Sequence, residues 1–298
     1  MTFLHVVIPA YGESPYLYEA IESVVNSVDI NTPITVLDDA SDSQKVQETT
    51  KRFFPRVEYV RNEKNIGLAR NFKKAFEISK GQFTAVIGSD DLMLPGFEKV
   101  VVDSHAKFPD ACVIHPNVQV VDENGLEILP AVDRIKGFIR GHEGQPFVME
   151  DVKLSRKLLI GNFMYFPATT WRTKTLLDAD WNTNLQHAVD LDLLFKLISQ
   201  NEKFVFSQEY GFAYRRHSQS VSSLLAQEDT RLREELAVHW GARSRFPINS
   251  SLKSRVLCQL AFTVRIHALI IGMKQLASNP KKGFVHIKNA MSPIKPLA

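Results

Sequence analysis

The chain has 298 residues, 44% of them hydrophobic and 23% charged, with a formal net charge of +3. This is the profile of an ordinary globular protein with a sizeable core, and it excludes a disordered or fibrous chain. So small a net charge gives no reason to expect a nucleic-acid partner.

Residues 3–8 (FLHVVI) are short, β-branched and closed by Pro9, which predicts a buried strand. Ser14-Pro15 reads as an N-cap followed by proline at the first helical position. Leu17, Ala20, Ile21, Val24, Val25 and Val28 then recur at helical spacing. A second strand at 34–37 ends on Asp38-Asp39, and a helix over about 43–54 carries Val46, Thr50 and Phe53. A third strand, 57–60, leads through a loop from Asn62 to Gly67 into a third helix with Phe72, Ala75 and Phe76 inward. The strand Phe83 to Ile87 runs into Asp90 and Asp91, and a helix after Pro95 repeats the pattern. Strands alternating with helices predict βαβ units and a mostly parallel sheet flanked by helices. In such sheets ligands gather beyond the carboxyl ends of the strands, so Tyr11, Asp38, Asp39, Asp90 and Asp91 should share one rim.

The second half is less regular. Residues 112–121 end in a hairpin-type turn, Asp122-Glu123-Asn124-Gly125. The mixed stretch 126–160, with Gly137, Gly141 and Gly144, reads as a loop-rich insertion. A helix with Leu191, Leu194, Phe195 and Ile198 inward follows "HAVDLD", and a strand pair near 203–215 ends in "YRRHSQSVSS". From about 224 the pattern is helical. This divides the chain into an α/β domain over 1–223 and a helical extension over 224–298.

Two adjacent acids at a strand end repel each other, and neither is readily buried alone. Asp90 and Asp91 therefore read either as a solvated turn or as a seat for a divalent cation. No G-x-G-x-x-G or P-loop pattern occurs, so a nucleotide diphosphate on this sheet would be met by a metal and basic side chains. The missing glycine-rich loop also argues against a sugar nucleotidyltransferase, since "PAYGES" supplies no phosphate cradle.

The segments "VVIPAYGESPYLYEAIESVVNS", "TVLDDASDS", "NEKNIGLARNFKKAFEISKG", "GSDDLMLPG" and "YRRHSQSVS" resemble the successive motifs of family 2 glycosyltransferases. The resemblance covers about residues 3–223 and implies a GT-A fold and an inverting, metal-dependent transferase. It sets Pro9, Ala10 and Tyr11 against the nucleotide, with the Tyr11 ring on the base. It gives Asp39 to the base edge, Arg70 to the diphosphate and Asp90 to the donor ribose or the metal's surroundings. Asp91 would hold Mn²⁺ or Mg²⁺, with "SDD" in place of the usual Asp-x-Asp, and His217 would complete the metal shell or touch the diphosphate. Asp190 falls where the family carries its general base, although Val189 replaces the usual Glu before it. Taken alone, Asp190 reads equally as a helix N-cap.

The implied donor is a nucleotide-diphosphate sugar, UDP-linked in the simplest reading, and the implied acceptor is a glycan or glycolipid. A catalytically silent nucleotide- or carbohydrate-binding module is the rival that the Val189 departure leaves open.

The two cysteines, Cys112 and Cys258, have no disulfide or metal-ligand spacing and fit a reducing compartment. Residues 1–5 pass directly into a strand pattern without the features of a signal peptide, so a cytoplasmic location is expected. Leu257 to Met273 is apolar but contains Arg265 and His267 and falls short of the ~20 residues of a membrane span. The C-terminal helices mix Arg255, Arg265, Lys274, Lys281, Lys282 and, further on, Lys288 and Lys295 with Leu257, Leu260, Phe262, Ile266, Leu269 and Ile270. Such helices can lie on the inner face of a membrane or pack on a subunit.

Overall fold

The side chains of β1 (Thr2–Ala10) alternate between two cores: Val6 and Ile8 join one, and Val7 joins the other. The same period of two sets the faces of β2 (Ile34–Asp38) and β4 (Gly81–Val86), with Leu37 and Val86 opposite Val36 and Ala85. The computed structural model describes residues 2–141, 146–217, 229–245 and 261–292. Among them nine strands form one sheet in the order β3-β2-β1-β4-β8-β6-β9-β5, with β7 also paired to β9. The remaining strands are β3 (Glu58–Arg61), β5 (Leu92–Met93), β6 (Ala111–Val121), β7 (Phe147–Met149), β8 (Thr170–Arg172) and β9 (Lys203–Arg215).

The expected parallel arrangement holds for β3-β2-β1-β4 and recurs between β6 and β9. The other half is mixed, because β8 is antiparallel to both β4 and β6, and β5 and β7 are antiparallel to β9. One face packs on α1 (Leu17–Ser27), α2 (Lys45–Lys51) and α4 (Phe97–Lys107); the other packs on α3 (Leu68–Glu77), α6 (Asp151–Ile160), α7 (Thr173–Asp178) and α8 (Val189–Ser199). Helix α1 starts two residues later than Ser14-Pro15 predicts. Ser14 instead forms a turn, its hydroxyl donating to the Ser89 carbonyl at 3.3 Å.

Two expectations are corrected. The stretch 126–160 is not loop-rich: it contains α5 (Ala131–Arg140), β7 and α6. Leu154, Leu158 and Leu159 bury one helical face there, and Gly137 sits inside α5 rather than in a turn. Gly144 lies outside the described residues. The region 203–215 is one 13-residue strand, not a pair. Gly211 lies where Pro116 and Phe97 crowd the strand; a Cβ there would lie 3.0 Å from Pro116 Cβ and 3.3 Å from Phe97 Cδ2.

Beyond β9, α9 (Asp229–Arg245) sets Val238 and Ala242 into the core that holds α8. The pair α10 (Phe262–Ser278) and α11 (Pro280–Met291) packs on α9 through a separate small cluster that includes Leu232 and Leu236. No helix among the described residues is long and apolar enough to cross a membrane. Arg255, Leu257, Cys258, Leu260 and Lys295 lie outside the described residues.

Candidate active site

Pro9 and Ala10 end β1, where only β2 still pairs with the strand, so the missing N–H of Pro9 breaks no ladder toward β4. Tyr11 follows with its ring 60% exposed, free to meet a ligand. Gly12, at φ 71°, donates its N–H to Ser41 Oγ at 2.9 Å, tying this turn to the end of β2.

The acids after β2 hold the rim together. Asp38 is fully buried and accepts from the Ser41 hydroxyl at 2.6 Å, the Ser41 N–H at 2.9 Å, Tyr59 at 2.6 Å and Arg61 at 2.9 Å. Burial opposes its charge, but those donors outweigh it and hold the carboxyl below its ordinary value. Asp39 accepts from Asn62 Nδ2 at 2.7 Å and from the N–H groups of Ile66 and Gly67 at 2.9 Å. It therefore straps the loop that launches α3, and the base contact implied for it falls to the remaining lone pair of Oδ2. Arg70 on α3 is exposed and makes no ion pair among the described residues.

Beyond β4 the chain turns at Gly88, and Asp90 and Asp91 both fold back toward it. A Cβ on Gly88 would lie 2.8 Å from Asp90 Oδ1 and 2.6 Å from Asp91 Oδ2. The glycine thus leaves room for two carboxylates to converge. Asp91 is 2% exposed and accepts from the Arg215 N–H at 2.9 Å. Burial first, and the charge of Asp90 second, push its carboxyl well above the ordinary range despite Arg215. A cation would relieve that strain, and two carboxylates completed by phosphate oxygens and water are a usual Mg²⁺ or Mn²⁺ seat. No preassembled group of three acidic, histidine or cysteine ligands exists among the described residues; at this turn Asp90 and Asp91 are the two carboxylates that converge. His217 Nε2 lies 2.9 Å from Asp90 Oδ2, and its ring leans on Tyr16 with centroids 4.9 Å apart. In this geometry His217 orients Asp90; the rest of the "HSQSVS" segment lies outside the described residues.

Asp190 stands in the first turn of α8, but it is not the cap. The backbone N–H groups of Gln186, His187 and Ala188 all donate to the Glu234 carboxylate of α9, at 2.7–3.1 Å. Asp190 accepts from the Leu191 N–H at 2.8 Å and from Asn162 Nδ2 at 3.2 Å. Burial raises its pKa, partly offset by the Leu191 N–H and by Arg231 and Lys136. Asp192 turns away to pair with Lys196 at 3.0 Å.

Lys136 of α5 faces the same region with its ammonium 3.9 Å over the Tyr165 ring. The Tyr165 hydroxyl donates to Asp133 at 2.6 Å, and Arg216 grips Asp133 with two bonds at 2.7 and 2.8 Å. Burial lowers the Lys136 pKa to about 8, with Asp133 and Asp190 pulling it up and Arg216 and Arg231 pushing it down.

The end of β9 joins the two clusters. Arg215 is buried and bonds the Asp90 carbonyl at 2.9 Å, the Glu123 carbonyl at 3.0 Å and Glu19 at 2.7 Å. Arg216, pointing the other way, holds Asp133, and His217 returns to Asp90. In the sequence "YRRH" only the histidine carries an expected role. The paired arginines at a strand end were the available signal. Gly88, Asp133, Lys136 and Glu234 gave none that could be read locally.

Residues 5–157, just over half of the chain, match the family described as glycosyl transferase family 2. The chain belongs to that family. An uncharacterized glycosyltransferase of Methanocaldococcus jannaschii is 22% identical over 81% of this chain and 80% of its own length. The chondroitin synthase of Escherichia coli is 25% identical over 64% of this chain, which spans only 26% of that enzyme. Among solved structures, S. aureus TarS residues 1–349 align over 97% of this chain and 90% of that one, with a TM-score of 0.59 and 14% identity. The same TarS fragment in complex with UDP-GlcNAc gives the same score. At that identity the likeness speaks for the fold, which is the expected GT-A type. The family match ends inside α6, so Asp90 and Asp91 lie within it and Asp190, Arg215 and His217 lie beyond it.

Proposed function

We propose that this glycosyltransferase moves a sugar from a UDP-sugar to an acceptor hydroxyl with inversion at the anomeric carbon, using Mn²⁺ or Mg²⁺. The observation that supports the reading is the end of β9, where the Arg215 N–H bonds Asp91, the next residue, Arg216, grips Asp133, and His217 bonds Asp90, with Lys136 beside Asp133 acting on Asp190 through its charge. The UDP-GlcNAc and UDP complexes of TarS support a UDP-linked donor.

Asp190 takes the proton of the acceptor hydroxyl as that oxygen forms its bond to the anomeric carbon. The bond from that carbon to the diphosphate oxygen breaks on the opposite face, and configuration inverts. A raised pKa suits this role, because a carboxylate titrating closer to neutrality is a stronger base. Mn²⁺ or Mg²⁺ on Asp90 and Asp91 would neutralise charge on the departing UDP. Tyr11 offers its exposed ring to the base, and Arg70 offers an exposed guanidinium to the diphosphate. The acceptor is proposed to be a glycan or glycolipid.

The test is calorimetry of UDP with and without MnCl₂, followed by transfer assays on a panel of UDP-sugars. Asp91→Ala should weaken manganese-assisted UDP uptake. Asp190→Asn should abolish transfer and leave UDP uptake nearly intact. Full transfer by Asp190→Asn would refute the assigned base, and the absence of any manganese-assisted UDP uptake by the unaltered chain would remove the metal from the scheme.

A further inference from the structure

Helices α10 and α11 are built inside out for a pair that packs in water. Their mutual contact is made by small residues. A Cβ on Gly283 would lie 2.7 Å from the Leu276 backbone nitrogen and 2.8 Å from the Gly272 carbonyl oxygen, and one on Gly272 would meet Ile287 at 2.7 Å. Ala268 and Ala290 are buried beside them. Val264, Leu269 and Ile287 stay partly buried, but most of the large apolar side chains point outward. Phe262, Ile266, Ile270 and Met273 form one exposed stripe along α10, and Phe284 and Met291, 66% and 73% exposed, line the open side of α11. Small residues between helices and large apolar ones outside are the arrangement of helices packed in a lipid environment.

The charge of this segment is one-sided. Residues 262–292 contain Arg265, Lys274, Lys281, Lys282 and Lys288 and no Asp or Glu. Arg265 is spent on the Ala290 and Ser292 carbonyls that end α11. The four lysines are exposed beside the apolar stripe. Neither helix can span a bilayer.

We propose that α10 and α11 form a docking surface for an anionic phospholipid membrane, lying in the plane of the headgroups. Phe262, Ile266, Ile270, Met273 and Phe284 enter the acyl boundary, and the lysines meet anionic headgroups. Charge decides against a second copy of the chain as the occupant: face to face, two copies would oppose lysines to lysines with no acid on either helix pair. The inference is independent of the donor and base assigned above.

Flotation of the full chain with vesicles of equal parts phosphatidylcholine and phosphatidylglycerol, against vesicles of phosphatidylcholine alone, tests it. The chain should float with the anionic vesicles only and be released as salt rises. Joint replacement Lys274→Ser, Lys281→Ser and Lys288→Ser should lower the partition roughly a hundredfold. Phe262→Ser with Phe284→Ser should also abolish flotation while leaving the thermal melt and UDP uptake unchanged, because both rings are exposed. Failure of the unaltered chain to float on anionic vesicles overturns the proposal, as does undiminished flotation of both variants. A concentration-dependent dimer that the double phenylalanine variant dissolves, without vesicle binding, also overturns it and gives the face to a second copy.

Discussion

Gly88→Ala is the sharpest single perturbation of the acid pair. The Gly88 backbone lies outside the left-handed region, so alanine adds no conformational strain there. Its methyl would stand 2.6 Å from Asp91 Oδ2 and 2.8 Å from Asp90 Oδ1, where ordinary contact begins at 3.4 Å. Both carboxylates must retreat by more than half an ångström. Asp91 Oδ1 is held by the Arg215 N–H and Asp90 Oδ2 by His217, each at 2.9 Å, so the retreat breaks or bends at least one charge-assisted bond. A bond of that kind is worth about 1.5–3 kcal/mol, which is roughly a tenfold to hundredfold effect on a ligand that needs both carboxylates in place. Calorimetry of UDP in MnCl₂ should therefore show at least a tenfold weaker uptake in Gly88→Ala, with UDP uptake in EDTA unchanged and the melting temperature shifted by only a few degrees. Uptake by the variant equal to that of the unaltered chain in manganese would refute convergence of Asp90 and Asp91 on the ligand.

Other perturbations reach the site from further away. Glu234→Ala removes the acceptor of three backbone N–H groups at the start of α8; a loss of about 3 kcal/mol in urea unfolding is expected, together with a fall in kcat as Asp190 loses its fixed position. Lys136→Met withdraws a cation that favours ionised Asp190, so the acidic limb of the kcat/KM profile should move to higher pH, and Lys136→Arg should restore it. Burial lowers the His239 imidazole to about 4, so this residue stabilises the fold fully above its unfolded pKa near 6.5, and that stability drains away as pH falls toward 4. Between pH 7 and pH 5 the unaltered chain should lose about 2 kcal/mol more than His239→Leu in urea titrations; equal losses would show that His239 is not buried neutral.

The parallel half of the sheet was legible because its evidence is local. Period-two strands, helical stripes and acids at strand ends all occur within short windows, and β1, β2 and β4 place them as expected. The second half was opaque where glycine misleads. Residues 203–215 read as a strand pair, whereas they form one long strand in which Gly211 packs closely against Pro116 and Phe97. Gly137 sits within α5, so a helix bearing Asp133 and Lys136 read as a loop. Asp90, Asp91 and His217 could be singled out in the sequence because their segments follow in a recognisable order. The strapping of the Asn62–Gly67 loop by Asp39 could not be found, because a carboxylate at a strand end looks the same whether its donors come from a ligand or from a loop 27 residues on.

The end of β9 explains how a sheet with so little regularity on this side still positions two clusters. The last strand residue and the two that follow it bond different partners, so one strand end can serve both clusters. The Arg215 N–H bonds Asp91 and its side chain bonds the Asp90 carbonyl, Arg216 holds Asp133, and His217 bonds Asp90. The strand is in turn fixed by its long parallel pairing with β6 and by β5, whose two residues pair with Phe212 and Ala213 directly after Asp91. Any displacement of β9 along its length must therefore disturb the acid pair and the surroundings of Asp190 together. That is a physical reason for the two clusters to be held in one register, and it makes this strand end, rather than either acid alone, the structural centre of the site.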